Sequence, residues 1–527
     1  MNFGVKLVIY SPPLVSDMKK VYSVLSVLIF VASLAFSQKV DRSKFISDSL
    51  DVYINKAMTN WRVPGVAICI VKDGKVVKMK GYGIKELGLN NKVDENTLFM
   101  IGSNTKAFTA TALAILQVQG KLSLDDKVNK YLPQWKLDNA YASQEAMIRD
   151  LLCHRIGFRT FQGDFTFYNT DLTRDQVMEK MSHVKAAYPF RTTWGYTNSA
   201  FLTAGQIIPV VTGKPWEVFV RENIFAPLGM GNTLALTADI TRSLNRTAPH
   251  TLVNGQLNAI PYCNIDGLAP AGAISSSVND LSKWVLALLD YGKVGPRQVI
   301  PAEAIRLTRE PQDVIGNSGH PGGEVDYSLY GLGWELEDYN NHRIVMHTGG
   351  VNGYVSSVTL LPKDKLGIII LTNTDQNELF EALKWDIIDA YLQKPFGDVN
   401  GKYLAYFKNQ QQAEAAKDKK LKDTIAMNLH PAMAVSEYTG KYVNDLYGNM
   451  TVSPGANNDL EMRFEHHPKM FAKLQPLGGN RFYVTFSDPI LGKAIFPFTV
   501  EGGKVTGVRV KVADFVEYDP YDFKKIP

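Results

Sequence analysis

A serine and a lysine lie three residues apart at the start of an apolar segment, within residues 99–108. In a helix, positions i and i+3 lie on the same face, so the Ser103 hydroxyl and the Lys106 amine can converge. The N-terminus of that helix would add a positive partial charge beside them. A lysine in a partly desolvated pocket can serve as the base that makes a serine nucleophilic, without a histidine. The pair therefore predicts nucleophilic catalysis at Ser103.

The spacing alone is a weak signal, because Ser-x-x-Lys also occurs at Ser16 and Ser182. Two further elements follow later in the chain. Tyr196 and Asn198 form a Tyr-x-Asn element, and His347 begins a His-Thr-Gly-Gly run after a strand-like segment. Each element is common by itself. The ordered set of three, each with its own neighbours, indicates one site.

With this set the chain resembles the serine β-lactamase and penicillin-binding protein superfamily. Within it, the chain is most similar to the class C-like branch, which includes esterases, D-aminopeptidases and D-amino-acid amidases. Other segments also resemble family signposts, and the resemblance extends over roughly residues 45–395. These signposts are residues 63–67, 81–83, 151–157, 270–272 and 275–277.

The resemblance implies a role for each residue of the set. Ser103 would be the nucleophile, and Lys106 and Tyr196 would share the proton transfers. Asn198 would hydrogen-bond Lys106 and a substrate amide or carbonyl. Unperturbed lysine and tyrosine both titrate near ~10, so one of the two needs a shifted pKa to act as base near neutrality. The sequence leaves open which of them takes the proton from Ser103.

The oxyanion hole is expected from the backbone N–H groups of Ser103 and Gly350. The adjacent Gly349 would let a substrate approach the strand edge closely. Thr348 and Gly349 are expected to contact substrate. Trp334, which ends a glycine-containing run, is expected to do the same, although packing in the core is an equal alternative.

His347 occupies a position where β-lactamases and penicillin-binding proteins usually have lysine. A lysine is a permanent cation for the carboxylate of a β-lactam or of a D-Ala-D-Ala end. Histidine titrates near ~6.5 and is largely neutral at pH 7. This difference weakens the expected carboxylate anchor and favours esters, amides or peptides bound in another way.

Composition limits the remaining possibilities. The 527 residues are 45% hydrophobic and 21% charged, which is ordinary for a globular protein of several domains. The net charge of +5 gives no reason to propose nucleic acid as a partner. The sequence has no zinc-type Cys/His cluster and no phosphate-loop glycine pattern, so no metal or cofactor is implied. Three cysteines allow one disulfide at most.

The first residues are typical of a secretory signal. Two lysines precede the apolar run 21–36, and small residues near its end suit cleavage after Ser37. The run is short for a membrane span, which needs roughly 20 apolar residues. We expect a signal peptide over residues 1–37, a secreted or periplasmic location and no stable membrane anchor. An uncleaved anchor is the alternative, and Met18 is a more usual start than Met1.

Strand patterns lie early and late in the expected hydrolase domain, residues 41–395, and helical patterns fill its middle. A hairpin signal surrounds residues 73–74, and three consecutive strands are expected at 343–347, 354–361 and 366–372. This predicts an α+β fold of the β-lactamase/transpeptidase type. One antiparallel sheet would be flanked by helices, with a helical subdomain inserted. The active site should lie where the two parts meet.

Residues 396–430 are expected to form an exposed helical linker, because residues 409–420 are polar, charged and free of glycine and proline. Residues 431–527 contain short strands separated by turn signals, which predicts a small β-barrel or sandwich. This region resembles the lipocalin-like C-terminal modules of some of these hydrolases. It could cap the cleft, mediate homo-oligomerisation or bind a ligand.

Together these observations favour a serine hydrolase that forms an acyl-enzyme on Ser103. It would cleave amide or ester bonds of small substrates such as D-amino-acid peptides or amides, cell-wall fragments or esters. One alternative is a β-lactamase or DD-carboxypeptidase, against which His347 argues. The alternative from another class is a binding protein or sensor without turnover, against which the complete set of polar residues argues.

Overall fold

The computed structural model describes residue 42, residues 44–316 and residues 325–527, so the expected signal peptide lies outside the described residues. An eight-stranded antiparallel sheet forms the centre of the first part of the chain, in the order β2-β1-β8-β7-β6-β5-β4-β3. Its strands are β1 (Gly65–Lys72), β2 (Lys75–Gly83), β3 (Asp313–Gly316), β4 (Val325–Tyr330), β5 (Glu335–Tyr339), β6 (His342–Val351), β7 (Tyr354–Leu361) and β8 (Leu366–Thr372). The prediction of one antiparallel sheet built from early and late segments is confirmed.

Helices cover both faces of this sheet. The longer ones are α1 (Leu50–Trp61), α2 (Thr105–Val118), α3 (Asn198–Thr212), α4 (Val278–Leu289), α5 (Leu379–Tyr391) and α6 (Val399–Ala426). Shorter helices are Ala140–Glu145, Ile148–Leu152, Arg174–Lys180, Trp216–Val220, Ala226–Leu228, Thr237–Ile240, Ala269–Gly272, Ala302–Thr308 and Val435–Tyr438. Short two-stranded ladders pair Phe99–Met100 with Ser275–Ser276, His250–Val253 with Gln256–Ala259, and Lys293–Val294 with Arg297–Gln298.

Strand β1 shows why the central strands are continuously apolar. Side chains alternate between the two faces of a sheet, and both faces are buried here. One face packs against the terminal helices α1 and α5, and the other against the inserted helical part. The residues facing the terminal helices are Val66, Ile68 and Ile70, and those facing the helical part are Ala67, Cys69 and Val71.

The long helix α6 connects the sheet region to the C-terminal barrel. Of its 28 residues only Val399 and Asn400 are buried. Asn400 accepts a hydrogen bond from the Trp61 indole at 2.7 Å, which fixes the start of α6 to α1. No helix within the described residues has the length and apolar character needed to cross a bilayer.

The C-terminal region is a closed eight-stranded antiparallel barrel, which confirms the prediction of a small all-β unit. Its strands are β9 (Gly440–Asn444), β10 (Gly448–Pro454), β11 (Leu460–Phe464), β12 (Phe471–Pro476), β13 (Arg481–Phe486), β14 (Lys493–Glu501), β15 (Lys504–Val510) and β16 (Tyr521–Lys525). Strand β16 pairs with both β15 and β9 and so closes the barrel. Closure leaves no unpaired edge.

Candidate active site

Ser103 lies in a 3₁₀ turn, Gly102–Asn104, that leads directly into α2. Gly102 has φ +52°, and a Cβ there would lie 2.9 Å from the backbone N of Gly350, so the turn presses against β6. The Asn104 amide donates to Ser356 Oγ at 2.9 Å, and that hydroxyl donates to the Ile101 carbonyl at 2.9 Å. These contacts hold the serine between the helix N-terminus and the sheet.

The Lys106 side chain is fully buried, and its amine has three oxygen neighbours. Nζ lies 3.0 Å from Ser103 Oγ, 2.7 Å from Asn198 Oδ1 and 2.9 Å from the Ala271 carbonyl. Burial holds the pKa of Lys106 well below its ordinary value. A neutral amine has two hydrogens and one lone pair. It can therefore donate to the two carbonyl-type oxygens and accept from the serine hydroxyl.

The Tyr196 phenol lies within hydrogen-bonding reach of the Ser103 side chain, and its ring centroid is 4.6 Å from Lys106 Nζ. The Tyr196 backbone N–H donates to Thr160 Oγ1 at 3.1 Å, and its carbonyl accepts from the Phe161 N–H at 2.9 Å. Burial raises the pKa of Tyr196 well above its ordinary value, so the phenol keeps its proton. Ser103, Lys106 and Tyr196 thus meet in one place.

Asn198 connects Lys106 to a residue that sequence reasoning missed. It is the first residue of α3, and its Nδ2 donates to Asp164 Oδ2 at 2.6 Å. Asp164 is buried, and burial raises its pKa well above its ordinary value. The residue lies in a short 3₁₀ turn, Asp164–Phe167, where no motif or periodicity marks it.

His347 is buried, and both of its ring nitrogens are occupied within the protein. Thr197 N–H donates to His154 Nδ1 at 3.0 Å, so the His154 proton is assigned to Nε2, which lies 3.2 Å from the Tyr330 hydroxyl. Tyr330 then donates to His347 Nε2 at 3.0 Å, and His347 Nδ1–H faces the Thr348 carbonyl. Burial lowers the His347 pKa to about 3.

This network shows that His347, which belongs to the predicted site, is bonded within the protein rather than directed at the cleft. The imidazole is neutral, and no ring nitrogen remains open to the cleft. The side chain instead lies beside the Tyr196 ring, with the two ring centroids 6.1 Å apart. A lysine-like cation is therefore missing at this position of β6.

Gly349 and Gly350 lie where β6 passes the serine turn. A Cβ on Gly349 would lie 1.9 Å from the Ile101 carbonyl, so only glycine allows this approach. Gly350 is exposed and Thr348 is half-buried, so both border the cleft. The expected oxyanion donors, the N–H groups of Ser103 and Gly350, are neighbours across this contact.

Trp334 is fully buried and does not line the cleft, which corrects the expectation of substrate contact. The reason lies in the glycines of its run. A Cβ on Gly331 would lie 2.6 Å from the Thr308 carbonyl, and one on Gly333 would lie 2.7 Å from the Lys106 carbonyl. These close approaches press the run onto α2 and direct the indole into the core.

A loop of the barrel reaches the cleft, which the sequence did not indicate at the level of residues. We call residues 511–520, between β15 and β16, the cleft loop. The Phe515 side chain is 42% exposed, and its ring lies 3.4 Å from where a Cβ on Gly350 would be. Tyr518 packs on Phe161 at 5.2 Å, and Phe161 packs edge-on against Tyr196 at 5.6 Å.

Comparison with known proteins agrees with this fold. A family model described as Beta-lactamase matches residues 50–393, and a model described as a domain of unknown function (DUF3471) matches residues 427–525. The chain belongs to the beta-lactamase family and, as a member of it, is a hydrolase.

Two curated relatives illustrate the range of this family. The unguisins hydrolase ungD' of Aspergillus campestris is 29% identical over 432 residues, which cover 76% of each chain. The protein flp of Staphylococcus aureus is 27% identical over 355 residues, covering 64% of this chain and 66% of that protein.

Solved structures with the same fold include two at low identity. The octameric penicillin-binding protein homologue from Pyrococcus abyssi has a TM-score of 0.59 at 21% identity, covering 90% of this chain and 99% of that one. A D-stereospecific amidohydrolase from Streptomyces sp. has a TM-score of 0.51 at 23% identity, covering 60% of this chain and 92% of that one.

Proposed function

We propose that this protein is a serine hydrolase that acts through an acyl-enzyme on Ser103. One observation carries the proposal: the buried Lys106 amine lies 3.0 Å from Ser103 Oγ, and the two hydrogens of its neutral form have acceptors in Asn198 Oδ1 and the Ala271 carbonyl. This arrangement leaves the lone pair of a neutral amine for the serine proton. General bases of this kind contribute typically about 10²–10⁴-fold to a rate.

The pKa directions support Lys106, rather than Tyr196, as the base. Burial disfavours the charged form of each group, which is the ammonium of Lys106 and the phenolate of Tyr196. Lys106 is therefore an amine ready to accept a proton, whereas Tyr196 is a phenol ready to donate one. In this mechanism Lys106 takes the Ser103 proton, and Tyr196 relays a proton to the leaving group.

The proposed reaction has two steps. Ser103 Oγ attacks the substrate carbonyl carbon, and the oxyanion forms beside the N–H groups of Ser103 and Gly350. Collapse breaks the amide or ester bond and leaves an acyl group on Ser103, while the leaving group departs with the relayed proton. Water attacks the acyl group in the second step, with the same side chains returning the protons.

Small amides, peptides or esters fit the site better than β-lactams. His347 is neutral, with both ring nitrogens bonded, so it supplies no cation for a substrate carboxylate. Phe515 narrows the cleft beside Gly350 and adds an apolar surface. The names of two similar proteins, an unguisins hydrolase and a D-stereospecific amidohydrolase, agree with hydrolysis, and the second agrees with amide bonds of D-configured substrates. We also propose a secreted or periplasmic location, on the basis of residues 1–37. Homo-oligomerisation through the barrel is a separate proposal.

The test is intact mass after incubation with a fluorophosphonate and, separately, with a penicillin. A fluorophosphonate adduct on the wild type that is absent from Ser103→Ala is the expected result. A long-lived penicilloyl adduct would favour a penicillin-binding protein instead, and rapid penicillin hydrolysis would favour a β-lactamase. If neither reagent modifies the protein and no ester or amide is turned over, the binding-protein alternative is favoured.

A further inference from the structure

Glu517, in the cleft loop, places a carboxylate against the hydrolase part of the molecule. The residue is 1% exposed. Its Oε1 accepts from the Gly163 N–H at 2.8 Å and from the Tyr447 hydroxyl at 2.6 Å, and its Oε2 accepts from the Phe165 N–H at 3.1 Å. The carboxylate therefore binds both backbone amides that flank Asp164.

Asp164 is the residue that reaches the catalytic lysine through Asn198. The Asp164–Asn198 contact is 2.6 Å, and the Asn198–Lys106 contact is 2.7 Å. The turn that carries Asp164 begins at Gly163, with φ +86°. Two sets of hydrogen bonds, joined by the backbone of this turn, thus connect the barrel to the amine beside Ser103.

The attachment of the barrel to the hydrolase part does not by itself account for the buried Glu517 carboxylate, because other contacts also hold the two parts together. The two parts are also joined by Tyr168 to Asp488 at 3.0 Å, by Asp171 to His466 at 3.1 Å and by the Arg159–Asp519 ion pair. Burial of a carboxylate is unfavourable unless hydrogen bonds or an opposite charge compensate for the lost water. Burial raises the Glu517 pKa to about 7, and its partners are two amides and a phenol rather than a cation.

We propose that Glu517 is a positioning residue of the hydrolase site, which holds the Gly163–Phe165 turn so that Asp164 and Asn198 orient Lys106. The inference rests on the proposed function, because Lys106 is the base in it. Every catalytic side chain belongs to the hydrolase part. Their alignment nevertheless depends on one side chain of the barrel.

The matched variants are Glu517→Gln and Asp514→Asn. Glu517→Gln keeps the size of the side chain and one acceptor oxygen. It replaces the other oxygen with an NH₂ group, which then faces a backbone N–H donor of the turn. Asp514 lies on the same loop, is exposed and pairs with Lys511, so its variant makes the same change of charge without touching the turn. The rate constant for fluorophosphonate modification of Ser103 is measured against pH, together with the thermal midpoint.

We expect Glu517→Gln to slow modification of Ser103 by about ten- to a hundredfold, because small displacements of a catalytic group cost up to ~10²-fold. The apparent pKa of the reaction should also rise, since a loosened turn admits water to Lys106. Asp514→Asn should stay within about twofold of the wild type, as surface changes do. The titratable groups around Lys106 are Tyr196, Asp164, His154 and His347. The uncharged Ser103 and Asn198 side chains face its amine as hydrogen-bond partners.

If Glu517 has a purely structural role, Glu517→Gln lowers the thermal midpoint but leaves the modification rate and its apparent pKa unchanged in the folded protein. That result would overturn the inference. If Glu517→Gln does not fold, Tyr447→Phe removes one of the three hydrogen bonds and should slow modification in the same direction. An unchanged rate in Tyr447→Phe would then overturn it. A wild type that is not modified at all would overturn the proposed function and this inference together.

Discussion

The Tyr330 hydroxyl lies 3.0 Å from Nε2 of His347 and so satisfies that ring nitrogen within the protein. The same hydroxyl lies 3.2 Å from Nε2 of His154. One phenol thus bonds two buried histidines, accepting from His154 and donating to His347. The consequence is a strand β6 that borders the cleft without a positive charge at position 347.

The neutral state of His347 predicts a pH dependence of stability. Its pKa is about 3 in the folded protein against an ordinary 6.5, so the unfolded chain binds the proton first as pH falls. The stabilisation is complete above about pH 6.5 and is lost between there and about pH 3. The difference in unfolding free energy between wild type and His347→Gln, measured by urea denaturation, should shrink over that range. A difference independent of pH would contradict the assignment, and the exposed His430→Gln serves as the control.

Replacement of Lys106 by methionine keeps the apolar stem and removes the amine. We expect ester hydrolysis to fall by about 10²–10⁴-fold, the usual contribution of a general base. In the wild type the rate should rise with pH, with a midpoint below the ordinary lysine value of ~10.4, because the neutral amine is the reactive form. Lys419→Met, on the exposed helix α6, is the matched control. A Lys106→Met variant of near wild-type rate would mean that another group takes the proton.

Gly349→Ala tests the close approach of β6 to the serine turn. The new Cβ would lie 1.9 Å from the Ile101 carbonyl, so the strand must move and carry the Gly350 N–H away. Activity should fall by about 10²–10³-fold, as on loss of an oxyanion donor, and overpacking should lower stability by about 1–3 kcal/mol. Kinetics on an ester substrate and thermal unfolding measure the two effects. Gly231→Ala, where a Cβ meets nothing within 4 Å, should show neither.

Phe515→Ala tests whether the cleft loop limits the size of the substrate. Removing the ring opens space beside Gly350. The ratio of kcat/KM for p-nitrophenyl octanoate to that for p-nitrophenyl acetate should rise about tenfold, a usual size for discrimination by apolar pockets. Phe471→Ala, an exposed phenylalanine on β12 of the barrel, is the control. An unchanged ratio in Phe515→Ala would show that the substrate does not pass this ring.

The sequence predicts the sheet well because the patterns that form it are local. The continuous apolar run of β1 and the turn residues after it are sufficient for the hairpin. Ser103 and Lys106 are brought together by helical spacing alone. Tyr196 and Asn198 reach Ser103 and Lys106 through packing between distant segments. In the sequence, only the Tyr-x-Asn element indicates this contact.

The remaining part of the site depends on contacts between distant segments. Asp164 and Glu517 lie in irregular segments, roughly 350 residues apart, where no period or spacing marks them. The contact between Glu517 and the turn that carries Asp164 forms only when the barrel docks. The burial of His347 and Trp334 could not be predicted for the same reason, because neighbours on other elements decide whether one polar and one aromatic side chain are buried.

Strand β16 follows the cleft loop directly, and its pairing with β9 closes the barrel. The loop thus takes its shape only when the last strand is in place. At about 5–20 residues per second, the ribosome makes Glu517 about 20–80 seconds after Ser103, roughly 400 residues earlier in the chain. If Glu517 aligns the base as proposed, a nascent chain carries Ser103 well before it carries Glu517, and it becomes active only after the cleft loop and β16 have been made.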